Sequence, residues 1–299
     1  MTTRQDRQAK QIEILKSLRF GVEIETVALG IEGAKHAVQS VVGGVMQSDG
    51  VCAPDGRVWR VVSDGSLSSD GAEIVTPILN YEDIETMQEI IRALRRDGAR
   101  VDGTCGIHVH VGVANFDAKK LTRLARMVAR QEDLIVAALQ VAEHRLGRYC
   151  QKVGYSFSES IKKNISSMRT LNRAWYGTYK SMTTKYDSSR YHGLNLNSVW
   201  YRRTVEFRYF NGTLHAGQVK AYVQLCLALC AKAFTMSGAF PGSHQFNPET
   251  GKYDMRVFLL RLGLCGEEFA TARHHLLANL KGSVSRGRLA RRNPLAEAA

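Results

Sequence analysis

Two glutamates share one face of a short stretch, Arg19-Phe20-Gly21-Val22-Glu23-Ile24-Glu25-Thr26, with no cation between them. The alternate positions Phe20, Val22, Ile24 and Thr26 are apolar or β-branched, which is strand patterning. Period two then sets Glu23 and Glu25 ~7 Å apart on the same side, where they can share or bracket a metal ion. Four more segments carry the same code. His108 and His110 alternate with Ile107, Val109 and Val111, and Glu206 and Arg208 alternate with Val205, Phe207 and Tyr209. Asn195 and Asn197 alternate with Leu194 and Leu196, and Glu73 stands opposite Ile74. Taken singly, an ExE strand is more often a solvated face, HxH a packed pair and ExR a cross-strand ion pair. Their joint occurrence, each backed by an apolar alternate face, points to one shared polar site.

The chemistry open to such a set is narrow. Three glutamates and a histidine without cysteine favour a hard divalent ion, Mg²⁺ or Mn²⁺, over structural zinc. Carboxylates that hold Mg²⁺ commonly share it with substrate phosphates. Arg208, planar and permanently charged, suits a developing phosphoryl charge.

Elements able to position these groups follow from the periodicity. Strands are predicted over 18–28, 57–62, 71–76, 105–113, 191–199 and 203–211, the last two forming a hairpin through Trp200–Arg203. Helices are predicted over 31–47, 81–97, 117–145 with Asp117 as its cap, 216–237, 253–263 and 267–280. The fold class expected is α+β, a curved, mainly antiparallel sheet with helices on its convex face. Glu23, Glu25, Glu73, His108, His110, Asn195, Glu206 and Arg208 would gather on the concave one. Residues 1–280 read as one domain and 281–299 as a basic, flexible tail. Residues 150–190, with Lys162, Lys163, Arg169, Arg173, Lys180, Lys185 and Arg190, read as a lid or substrate loop.

The 41 basic residues against 28 acidic ones give +13, a balance that favours polyanionic partners. The tail contributes Lys281, Arg286, Arg288, Arg291 and Arg292. Six scattered cysteines without a CxxC pair argue against a disulfide framework or zinc knuckle. Reduced thiols, a polar start and no membrane-length apolar run place the protein in the cytoplasm.

At this point the motifs resemble a family. ExE on an early strand, EIVTPIL on a later one, GxHxH, then NLN followed by TVEFRYFNGTL are similar to the amidoligases, over roughly residues 18–215. These belong to the carboxylate–amine ligase superfamily with glutamine synthetase and γ-glutamylcysteine ligase. The resemblance implies a glutamine synthetase-like catalytic sheet that binds ATP with two or three Mg²⁺. Its chemistry is two-step: a carboxylate is phosphorylated to an acyl phosphate, and an amine then displaces phosphate to form an amide. By motif, Glu23, Glu25, Glu73 and Glu206 match metal ligands, and His108 matches a metal or phosphate contact. His110 falls beside the nucleotide phosphates, Arg208 on the transferred phosphate, and Asn195 near substrate or phosphates. Asp64 and Ser66 in SDGS match a further signature, possible in substrate placement.

Two departures shape the expectation. ExE comes at residue 23, so the N-terminal domain that completes a neighbour's site in glutamine synthetase is not expected, nor is its ring. No amino-acid-binding pattern follows, so the acid and the amine stay open. Three other readings compete: the same ligase acting on a nucleic acid or protein held by the basic surface, a non-catalytic nucleotide- or nucleic-acid-binding protein, and a metal-dependent hydrolase.

Overall fold

The computed structural model describes residues 4–68, 70–162, 165–238 and 245–285. The helix α1 (Arg4–Ser17) leads into β1 (Phe20–Thr26), then α2 (Gly30–Val42). A meander follows of β2 (Val45–Gln47), β3 (Gly50–Cys52), β4 (Val58–Val62) and β5 (Ala72–Val75). Next come α3 (Ile84–Arg96), β6 (Gly106–Gly112), α4 (Ala118–Leu139) and α5 (Glu143–Arg148). Two helices, α6 (Tyr155–Lys162) and α7 (Met168–Tyr176), precede β7 (Leu194–Asn195), α8 (Asn197–Arg202) and β8 (Thr204–Asn211). The helices α9 (Ala216–Thr235), α10 (Gly251–Arg261) and α11 (Ala270–Ala278) complete the described chain.

All eight strands join one open antiparallel sheet in the order β2-β3-β4-β5-β1-β6-β8-β7. The α+β class expected from the sequence is observed. Val22, Ile24, Trp59, Val61, Ile74, Val109, Val111, Val205 and Phe207 are buried, and α2, α4 and α9 pack against the sheet. The helix α9 is buried nearly all round, so its QLCLALC run reads without amphipathic period. No helix among the described residues is long and apolar enough to cross a membrane.

Three expectations change. The helix expected to reach residue 47 stops at Val42, because Gly43 and Gly44 both take positive φ. A Cβ on Gly44 would come 2.0 Å from Cys52 O, so the chain turns closely there into β2. The long helix expected to reach residue 145 breaks at Gln140, which is left-handed, and restarts as α5. The hairpin expected through 200–203 is instead a two-residue strand and a helical turn. Asn195 Oδ1 accepts from Asn197 N at 2.8 Å and Ser198 Oγ donates to Thr204 O at 2.7 Å, drawing the backbone out of the ladder. The polar start forms the helix α1, which buries Leu15 and reaches Leu262 O through Gln11 Nε2 at 2.6 Å. Beyond Ser285 the expected basic tail lies outside the described residues, as does Lys163.

One buried acid on the apolar side of the sheet affects stability. Glu132 on α4 accepts from Tyr209 Oη at 2.5 Å and from Val153 N at 2.9 Å. Burial, only partly offset by those bonds, pushes its carboxyl up to about 7. The native state therefore holds a proton that the unfolded chain has released, and stability falls as pH rises from the ordinary glutamate range through 7. Glu132→Gln is expected to flatten that slope, by about 3 kcal/mol between pH 5 and 8. Urea unfolding across that pH range checks it; a variant with the wild-type slope refutes it.

Candidate functional site

Strand register assembles the polar face. Glu25 lies opposite Glu73 across β1 and β5, and Glu23 opposite His108 across β1 and β6. His110 lies opposite Glu206 across β6 and β8, and Asn195 opposite Glu206 across β7 and β8. Residues in facing register share a side of the sheet, so five short motifs scattered over the chain become neighbours. The β6–β8 ladder steps over one extra residue of β8 between the pairs Val109–Phe207 and Ile107–Phe210. Such a step re-aims side chains, and Arg208 Nη1 comes 3.5 Å from His108 Nδ1.

Two groups of ligand atoms form on this face. In the first, Glu23, His110 and Glu206 bring one atom each to within 4.8 Å of one another. His108 borders it, with Nδ1 3.1 Å from Glu23 Oε2 and 3.7 Å from Glu206 Oε1. Glu206 also pairs closely with Arg208 Nη1 and accepts from Asn195 Nδ2 at 2.7 Å. Burial disfavours both charges, but imidazole outweighs it at Glu23 and holds that carboxyl well below the usual range. Against the same cost of burial, Arg208 and then the two histidines lower Glu206. His110 is correspondingly raised: Glu23 and Glu206 overcome the burial that would lower it.

The second group is Glu25, Asp64 and Glu73, also within 4.8 Å. Asp64 comes from the β4–β5 loop, where its Oδ1 accepts from Ser66 N at 2.8 Å. Here cations are short. Glu25 accepts from Gly106 N at 2.5 Å and lies 3.8 Å from His108 Nε2, yet burial keeps its carboxyl raised. Burial, and then the charges of Glu23, Glu25 and Asp64, push Glu73 up to about 8.

These donors fit hard divalent cations. All are oxygen or imidazole nitrogen, and among the described residues Arg202 and Arg208 are the only arginines or lysines within ion-pair distance of the five acids. His110 Nε2 is buried without a hydrogen-bond partner although Glu23 Oε1 is 3.2 Å away, an orphaned nitrogen pointing at an acid-lined space.

A cavity of about 520 Å³ opens over both groups and is also lined by Ser66, Arg145, Lys185, Arg190, Arg202 and Arg208. Of the expected site residues, Glu23, Glu25, Glu73, His108, His110, Glu206 and Arg208 line it together. Asn195 does not: it is fully buried, its amide committed to Glu206 and to Asn197 N. Its place is behind Glu206, which it orients. Lys185 and Arg190 of the expected substrate loop overhang the cavity, in contact with Tyr186 and Tyr191. Arg145 and Arg202 were not anticipated. Arg202 Nη1 lies 3.6 Å from Glu23 Oε1, and residues 200–203 had been read as a tight turn. An apolar cavity of about 360 Å³, with Phe20, Val22, Pro77 and Ile78 in its wall, shares Glu23, His110 and Arg202 with the first.

No curated protein matches this sequence. Among solved structures the chain is similar to a bifunctional glutathione synthetase from Pasteurella multocida, at 12% identity and a TM-score of 0.44. That alignment covers 93% of this chain and 49% of the other, so the chain spans about half its length. The family model described as "Putative amidoligase enzyme" matches residues 16–230, a span that contains every residue of both ligand groups. The chain belongs to this amidoligase family.

Proposed function

We propose that the protein is an ATP-dependent carboxylate–amine ligase that makes an amide through an acyl phosphate, on a glutamine synthetase-like sheet. The observation that carries this reading is the pair of carboxylate groups on one sheet face, with Arg208 partly buried between acid and histidine. Family membership supports it. Glu23, His110 and Glu206 would hold one divalent ion, and Glu25, Asp64 and Glu73 a second, with His108 between them. Bound there, Mg²⁺ or Mn²⁺ would neutralise phosphate oxygens and ease the approach of two anions.

The chain's own residues do the rest. A substrate carboxylate oxygen attacks the terminal phosphorus of ATP, and ADP departs. Arg208, whose guanidinium is fixed by Glu206 and donates through Nε to Tyr149 O at 3.2 Å, faces the charge of the transferred group. The amine nitrogen then bonds to the acyl carbon, the carbon–oxygen bond to phosphate breaks, and the amide is formed with release of inorganic phosphate and of one proton from the nitrogen. The apolar cavity beyond Glu23 and His110 offers a dry wall for the flat base of the nucleotide. Lys185 and Arg190 over the mouth favour an anionic co-substrate.

Calorimetric titration with ATP, with and without Mg²⁺, tests the reading. The wild type is expected to bind only with the cation. Arg208→Ala should weaken binding by about 30-fold or more, the scale of losing one buried charge contact. A folded wild type that binds no ATP in Mg²⁺ or Mn²⁺ sinks the proposal.

A further inference from the structure

We propose that Arg145 is an oxyanion-binding residue of this site, holding a carboxylate or phosphoryl group of a bound reactant. The nature of the reactants rests on the ligase reading above; the assignment itself rests on what surrounds the side chain. Arg145 lies on α5, is 3% exposed, and nonetheless lines the cavity over the two carboxylate groups. Its Nη1 donates to Cys105 O at 3.2 Å and its Nη2 to Arg208 O at 3.4 Å, both uncharged acceptors. Its Nε is buried without a partner. Among the described residues no carboxylate comes within ion-pair distance of it.

A guanidinium cannot lose its charge by deprotonating, so a buried one without a counter-anion is costly to keep. Tying α5 to two backbone carbonyls would require only an uncharged donor. The strand beneath has also given up a side chain to seat it. A Cβ on Gly106 would come 2.5 Å from Arg145 Nη2 and 2.8 Å from Nη1, so the guanidinium lies directly on bare backbone. The contrast with Arg208 completes the argument. Arg208 faces the same cavity but already pairs with Glu206. An anion entering the site meets one guanidinium already in a contact ion pair and one that Glu25 acts on only from beyond ion-pair distance. Its chemistry is a planar or tetrahedral oxyanion, the shape that a fork of N–H donors recognises.

The test follows the Arg145 Nε–H resonance in ¹⁵N-labelled full-length protein with Mg²⁺, assigned by its disappearance in Arg145→Lys. Inorganic phosphate and acetate are titrated separately. A saturable shift is expected, and in Arg145→Gln the same titrations, followed at the Gly106 amide, should show affinity at least tenfold weaker. Tighter phosphate binding identifies the transferred phosphoryl group as the occupant; tighter acetate binding identifies the substrate carboxylate. Should neither anion move the Nε–H signal, Arg145 is a strut and the proposal falls; equal affinity in wild type and Arg145→Gln overturns it too. Thermal melts of both variants establish that they fold, and the wild-type titration decides even if one does not. Mg²⁺-dependent ATP binding by the wild type is a separate result. If it is present while the resonance ignores both anions, the ligase reading stands and this one fails.

Discussion

Replacing Glu23 with glutamine is expected to weaken Mg²⁺ or Mn²⁺ binding on the order of 10²–10³-fold, taking cation-dependent ATP binding with it. The substitution keeps the shape of the side chain, so packing is not what it probes. What it removes is the charge on which the first ligand group converges. Glu23 Oε2 lies 3.1 Å from His108 Nδ1, and Oε1 lies 3.2 Å from His110 Nε2 and 3.6 Å from Arg202 Nη1. It is also held well below its usual range despite burial, as Glu206 is held below its own, and is hence already ionised and ready to ligate at neutral pH. An amide can offer one oxygen, turns its NH₂ toward an imidazole or an arginine, and carries no charge to offset a cation. Mn²⁺ titration followed by electron paramagnetic resonance measures the loss, with Glu82→Gln, at an exposed position that lines neither cavity, as the control. An unchanged Mn²⁺ affinity in folded Glu23→Gln would mean that Glu23 ligates no cation and that the first group is not a metal site.

Glu23 also illustrates how much of the site was legible in the sequence. Period-two alternation is a strong local signal, and it placed Glu23, Glu25, Glu73, His108, His110, Glu206 and Arg208 on polar strand faces that the sheet brings into one cavity. Alternation fixes which face a residue occupies but not which strands adjoin. That His110 rather than His108 groups with Glu23 and Glu206 is a matter of register between β6 and β8, and of the extra residue in β8. Asn195 shows the limit from another side. It shares the face but lies at the short edge strand β7, where Glu206 and the start of α8 consume its amide. Arg145 carried no signal at all. It reads as one more basic residue toward the end of a long helix, and only the break at Gln140 turns it inward. The missed strands β2 and β3 are three residues each, and the boundary before them depends on two glycines with positive φ rather than on periodicity.

The second ligand group leads to the other large effect, an affinity for cations that climbs with pH. Glu73 is pushed up to about 8, first by burial and then by the charges of Glu23, Glu25 and Asp64. In the cation-free protein it therefore keeps a proton that the unfolded chain releases near its ordinary value of 4.5. Stability of that form falls as pH rises through the interval between the two values. A cation in the Glu25–Asp64–Glu73 group must displace that proton, since only the carboxylate ligates. Below pH 8 each displaced proton makes affinity rise by up to about tenfold per pH unit, and the rise should level off above it. Glu73→Gln should bind more weakly and lose most of the slope, because Glu25, which burial also raises, is left to supply what remains. Mn²⁺ calorimetry near pH 6.5, repeated in buffers of different ionisation enthalpy, counts the protons released. Close to one proton per ion at this group is the expected count. Binding that releases none, with the same affinity at pH 6 and pH 9, would show that Glu73 is no ligand. The like charges crowded around it would then have to be neutralised by a cationic part of the substrate instead.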